Sequence, residues 1–118
     1  LISAFRRIPL FEAPTALHHA PRLSSELGPD VFVKRDDLTG LGAGGNKARK
    51  LEFLCAQALG SGARSLVTVG AAQSNHCRMT AAAGAVLGLD VHLVLSGDRP
   101  LRPTGRCNEL VSRPRSVP

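Results

Sequence analysis

Tryptophan and tyrosine are absent, and four phenylalanines are the whole aromatic complement of the chain. Without aromatic platforms among its cations, the sequence has little with which to stack nucleic-acid bases. A core must then be built from Leu, Val and Ala between closely packed elements, which suits helices lying on a sheet. Cysteine is also scarce. Cys55, Cys77 and Cys107 are odd in number and scattered, and none forms a Cys-x-x-Cys pair with histidines at zinc spacing. Neither a disulfide framework nor a metal site is expected, and a reduced cytoplasm is the expected setting. Long hydrophobic runs are missing as well. No stretch approaches the roughly eighteen apolar residues a membrane span needs, and Leu1–Leu10 carries Arg6, Arg7 and Pro9 in place of a signal-peptide core. Export and membrane insertion are not expected.

The chain does have 118 residues and 43% hydrophobic content, which suffice for one soluble α/β unit. Its net charge of +6 raises nucleic-acid binding as a possibility. Half of that excess sits in Leu101–Pro118, where Arg102, Arg106, Arg113 and Arg115 face only Glu109, giving +3. The remaining body is mildly basic, so no nucleic-acid partner is expected.

Three runs read as strands: Val31–Arg35 (VFVKR), Ser65–Val69 (SLVTV) and Val91–Leu95 (VHLVL). The last two have the composition of buried strands in a parallel sheet. Between them, Ala-rich Ser74–Leu87 reads as a helix closed by Gly88, which completes a βαβ unit. Upstream, Leu51, Leu54, Cys55 and Ala58 recur at helical spacing on a helix from about Asn46 to Leu59, ended by Gly60. Prolines 9, 14 and 21 predict an irregular N-terminal segment with one helical turn near Leu23–Leu27. Arg99–Pro118, with four prolines and no apolar periodicity, reads as an irregular basic tail.

Two loops precede helices, Asp36–Gly45 and Gly70–Gln73, and both are expected at one ligand-binding edge of the sheet. Gly40, Gly42 and Gly45 satisfy G-x-G-x-x-G, but Asp36–Thr39 separates them from the strand. No acidic residue lies between Glu52 and Asp90 to hold a ribose. Asn46 and Ala48 likewise break a Walker loop. Lys47 follows two glycines and an asparagine at the start of a helix, where the helix dipole opposes a cation by about 0.3–1 kcal/mol. A neutral amine suits that place better, and a neutral amine forms an imine with an aldehyde. By position alone, Lys47 reads as a solvated surface lysine and Ser74 as a helix N-cap.

The segments VKRDDLTG, GGNKARKLEFL and LVTVGAAQSNHCRMTAAAGAVLGL, taken together, resemble the N-terminal portion of pyridoxal-phosphate enzymes of the D-cysteine desulfhydrase and 1-aminocyclopropane-1-carboxylate deaminase family. That family has the tryptophan synthase β-subunit-like fold. The resemblance runs from about Pro9 to Gly105. It implies that residues 1–64 belong to the larger cofactor-binding domain, 65–98 open a smaller α/β domain, and 99–118 stand apart as the tail. It makes Lys47 the aldimine lysine, places Lys50 at the cofactor phosphate, and sets Asn75 against the pyridine 3-hydroxyl oxygen. Ser74 becomes the reactive hydroxyl beside the substrate, with Gln73 and His76 receiving the substrate carboxylate. The implied reaction is cleavage of a small amino acid, D-cysteine to pyruvate, sulfide and ammonia, in a homodimeric enzyme. Opening of a cyclopropane amino acid and a non-catalytic remnant are the alternatives. Members of the family are roughly three times this length, beyond the usual single-domain size. The chain by itself is therefore expected to be inactive.

Overall fold

The computed structural model describes residues 4–97; the tail expected at 99–118 lies outside them. Two small sheets and three helices follow in the order β1 (Leu17–His19), α1 (Pro21–Leu27), β2 (Phe32–Lys34), α2 (Lys47–Gly60), β3 (Ser65–Ala71), α3 (Asn75–Leu87) and β4 (Asp90–Ser96). Two short 3-10 turns, Asp36–Thr39 and Leu41–Ala43, occupy the glycine-rich loop.

The βαβ unit forms as expected. β3 and β4 pair in parallel, with Leu66 opposite Val91 and Val69 opposite Val94, and α3 makes the crossover. Ser74 is the N-cap of α3, and Gly88 closes it in the left-handed conformation at φ 68° and ψ 29°, where a side chain would be strained. Gly84 lets the helix settle onto the sheet, since a Cβ there would lie 2.1 Å from Val91 Cγ2.

The sheet is covered on one side only, which corrects the expectation of fully buried strands. Side chains alternate along β3, so that half of them turn toward α3 and the core. On the other face Val67, Val69 and Val94 remain 70%, 65% and 56% exposed. Among the described residues nothing packs over them.

A second correction concerns the first predicted strand. β2 does not join the parallel sheet but pairs antiparallel with β1, His18 opposite Val33. β1 falls in the segment expected to be irregular. Its three residues, Leu-His-His, are all exposed and carry no alternating pattern by which sequence could mark them. The helical turn predicted at Leu23–Leu27 begins earlier, at Pro21, a residue whose fixed φ suits the first helical position.

α2 is present with nearly the expected bounds, but its inward face is rotated. Ala48, Leu51, Glu52 and Cys55 are buried, while Leu54 is 49% exposed. The reason is Glu52, whose carboxylate accepts from Arg7 Nε at 2.5 Å and from the Leu10 main-chain N–H at 3.0 Å. A carboxylate supplied with such donors can occupy a core position that apolar periodicity assigns elsewhere. Leu41, Ala48, Leu51, Cys55, Met79 and Ala83 form the core between α2, α3 and the glycine loop.

Candidate active site

The glycine-rich loop is folded by its own backbone. Asp36 O accepts from Gly45 N at 2.8 Å, and the buried Thr39 hydroxyl accepts from the same N–H at 3.1 Å. Gly42, Gly44 and Gly45 all have positive φ, and so does Ala43 at 67°, a strained position for a residue with a Cβ.

The start of α2 is tied to this loop by a clamp. Arg49 donates to both Asp36 oxygens, from Nε at 2.8 Å and from Nη2 at 2.6 Å. The Thr15 hydroxyl accepts from Arg49 Nη2 at 2.9 Å and donates to Asp36 Oδ1 at 2.9 Å. Hydrogen bonding from Arg49 overcomes the opposing effect of desolvation, and with further help from Thr15 and Lys34 it brings the Asp36 carboxyl from its ordinary 3.8 down to about 2. Because the folded-state value is the lower one, the ionised carboxylate favours folding above pH about 4, and that contribution disappears as pH falls through about 2. Stability of the chain is therefore expected to drop across this acid window, and Asp36→Asn to flatten the drop. Denaturant midpoints measured from pH 2 to 6 on both chains check this.

Lys47 stands at the first position of α2, after an Asn46 N-cap whose side chain makes no capping bond. Instead, Lys47 Nζ donates to Asn46 Oδ1 at 3.1 Å. Lys50 follows one turn later and is exposed.

The second loop leaves β3 after Ala71 and turns into α3 at Asn75. A Cβ on Gly70 would lie 2.6 Å from Cys77 Sγ and 2.8 Å from Ser74 Oγ, so the strand end and the helix start are in close contact. Ser74 Oγ accepts from Cys77 N at 3.3 Å, and Gln73 is half-buried in the turn before it. Asn75 is exposed, with its Oδ1 accepting from Arg78 Nη2 at 3.0 Å. The His76 ring turns inward, its Nε2 lying 2.9 Å from the Thr68 hydroxyl of β3. Burial lowers the pKa of His76, and the positive charges of Lys50 and Lys47 lower it further.

Behind these residues α2 and α3 pack on each other in the core, Leu51 and Cys55 with Met79 and Ala83. The glycine loop approaches α3 itself, by a route other than the shared sheet edge expected from sequence. The glycine loop packs directly on α3: a Cβ on Gly42 would lie 2.8 Å from Ala82 Cβ, and Arg78 Nη2 donates to Gly44 O at 3.4 Å. His18 and His19 belong to β1, where His18 Nδ1 lies 3.1 Å from Arg35 and His19 Nε2 lies 3.4 Å from Asp30.

Sequence reasoning did not single out Arg49, Thr15, Thr68 or Arg78. The first two are visible only through their partners at distant positions. Arg78, four residues past the N-cap, reads in sequence as a solvated helix residue.

Residues 8–112 match the family described as "Pyridoxal-phosphate dependent enzyme". The chain belongs to that family. It is 54% identical over 100 residues to a D-cysteine desulfhydrase of Klebsiella pneumoniae subsp. pneumoniae, a match covering 85% of this chain and 30% of that protein. It is 53% identical over 102 residues to a protein of Pyrococcus abyssi named as a candidate 1-aminocyclopropane-1-carboxylate deaminase, covering 86% of this chain and 31% of the other. A crystal structure of a 1-aminocyclopropane-1-carboxylate deaminase homologue superposes with a TM-score of 0.82 at 47% identity, over 93% of this chain and 33% of that one. The chain thus spans about a third of the length of these relatives.

The donors at the site suit the family cofactor. An aldehyde requires an amine, supplied by Lys47. An anionic phosphate and an anionic ring oxygen would call for a cation and an N–H donor, types of group that Lys50 and the Asn75 amide could offer, and the first-turn N–H groups of α3 could take a further anion such as a carboxylate.

Proposed function

We propose that this chain is the N-terminal portion of a pyridoxal-phosphate-dependent lyase or deaminase acting on a small amino acid, with D-cysteine as the preferred substrate. Opening of 1-aminocyclopropane-1-carboxylate is the alternative. The observation that carries the reading is the 54% identity over 100 residues to the Klebsiella D-cysteine desulfhydrase, together with the packing of the loop that leads to Lys47 against α3.

When bound, pyridoxal phosphate supplies an electron sink for the substrate α-carbon. The chain supplies the rest. Lys47 would hold the cofactor at its aldehyde through its amine and would carry the proton at the substrate α-carbon. Lys50 balances phosphate charge. Asn75 donates to the ring oxygen. Gln73 and the N-terminus of α3 receive the substrate carboxylate, and His76 contributes its main-chain N–H because its ring is turned to Thr68. Ser74 has two compatible roles. As N-cap it uses a lone pair of Oγ to accept from Cys77 N, which leaves its hydroxyl proton available to a substrate.

The chain alone is expected to release no pyruvate or sulfide from D-cysteine, since it corresponds to only 30% of the desulfhydrase it matches. Joined to the remaining two thirds of that Klebsiella protein, it is expected to support both. A folded chimera that binds the cofactor without turning over would overturn the reading. In the same chimera Ser74→Ala is expected to lower turnover far more than cofactor affinity. Loss of the cap alone would cost about 0.5–2 kcal/mol of stability with turnover per folded molecule preserved. Melting temperature and rate, taken on one preparation, separate the two effects.

A further inference from the structure

Arginine is seldom buried without a partner. Arg78 of α3 is 8% exposed, and its Nε and Nη1 are shielded with no hydrogen-bond partner. It takes part in none of the ion pairs among the described residues. Only Nη2 is engaged, donating to Asn75 Oδ1 at 3.0 Å and to Gly44 O at 3.4 Å. A buried cation with most of its donors unmet opposes folding, so its contribution is to be sought in what the one engaged nitrogen does.

It settles the direction of an amide. The two ends of an asparagine carboxamide are nearly alike in shape, and which end faces a site depends on the neighbours. A guanidinium offers only donors, so the atom of Asn75 turned toward it is the oxygen. Asn75 lies three residues before Arg78, the spacing at which helix side chains meet. With Oδ1 held inward, Nδ2 of the exposed Asn75 faces out beside the first-turn N–H groups of α3. The contact with Gly44 O joins the same guanidinium to the loop that leads to Lys47, so one side chain braces both halves of the site.

We propose that Arg78 is a positioning residue that keeps the Asn75 carboxamide oxygen turned inward, so that Nδ2 is always presented as a donor to an anionic oxygen of the ligand. The identity of that oxygen, the ring oxygen of pyridoxal phosphate, rests on the function proposed above; the amide orientation does not.

The test compares the chain with Arg78→Met, which keeps the apolar stem, and Arg78→Lys, which keeps a donor. The denaturation midpoint of Arg78→Met is expected to hold or rise, because a buried unpaired charge has been removed. A clear fall would mean that the guanidinium serves stability, and would overturn the proposal. In the ligand-free chain, the NMR order parameter of the Asn75 side-chain amide is expected to be high for the parent and Arg78→Lys and to fall in Arg78→Met; an unchanged value in Arg78→Met overturns the lock. Binding of pyridoxal 5'-phosphate is then compared with that of its 3-deoxy analogue. The parent is expected to prefer the oxygen-bearing ligand about tenfold, the size of one hydrogen bond to a charged group. Arg78→Met should lose that preference and Arg78→Lys retain most of it. Equal binding of both ligands by the parent overturns the donor role. If the parent binds neither, the proposed function fails, and the amide measurement alone decides the orientation.

Discussion

Borohydride reduction of the chain in the presence of pyridoxal phosphate is expected to leave a stable label on Lys47, and Lys47→Ala is expected to abolish that label and not to shift it. The alternatives are placed differently. Lys34 Nζ is engaged by the Thr15 main-chain oxygen, on the antiparallel β1–β2 side of the molecule. Lys50 is exposed one helical turn farther on. Lys47 is half-buried at the helix start, where its amine contacts only the adjacent Asn46 side chain by hydrogen bond, and where the Asp36–Arg49 clamp fixes the backbone two residues away. Peptide mass mapping of the reduced adduct reads the position directly. A label found mainly on Lys34 or Lys50, or one that survives Lys47→Ala undiminished, would remove Lys47 from the centre of the mechanism.

How far sequence reaches in this chain depends on whether a signal is local. The bounds of α3 were legible because Ser74 and Gly88 act on their own neighbours, through a cap and a left-handed turn. The parallel pairing of β3 and β4 followed from a helix lying between two apolar runs. The position of Lys47 at a helix start was legible for the same reason. The inward face of α2 was not, because the burial of Glu52 depends on Arg7 and the Leu10 N–H, more than forty residues away in the chain. Nor was β1, whose three exposed residues are a strand only because β2 lies beside them. Sequence suggested that the two loops share a sheet edge, whereas the glycine loop lies on α3, with Gly42 so close to Ala82 that a side chain there would clash. Arg49 and Arg78, which sequence did not single out, are cations that each reach an acceptor in the glycine-rich loop, Asp36 and Gly44 O, far from them in the chain.

Gly44→Ala is expected to be the most damaging single-methyl change among the described residues. Gly44 has φ 82° and ψ 165°, a region of backbone space populated essentially by glycine alone. A Cβ there would lie 1.9 Å from Asp37 O and 2.7 Å from Asp37 C. These are backbone atoms, so no side-chain rotation relieves the overlap, and the loop itself must move. Movement at Asp37 carries Asp36 with it, along with the carboxylate that holds Arg49. Movement at Gly44 takes away the main-chain oxygen that Arg78 contacts. Lys47 lies three residues on, at the end of the displaced segment. Gly40→Ala is the natural control, because Gly40 also has positive φ, 76°, but nothing within 4 Å of the added methyl. That variant should lose only the local backbone term, about 1–3 kcal/mol, a term that Gly44→Ala loses as well. Overpacking against ordinary core atoms typically costs about 1–3 kcal/mol, and a rigid backbone overlap should exceed it. The denaturation midpoints of the two variants are therefore expected to differ by more than about 2 kcal/mol, with labelling of Lys47 lost in Gly44→Ala and kept in Gly40→Ala. Equal destabilisation would show that the loop yields without consequence, and that the clamp does not set the place of the lysine.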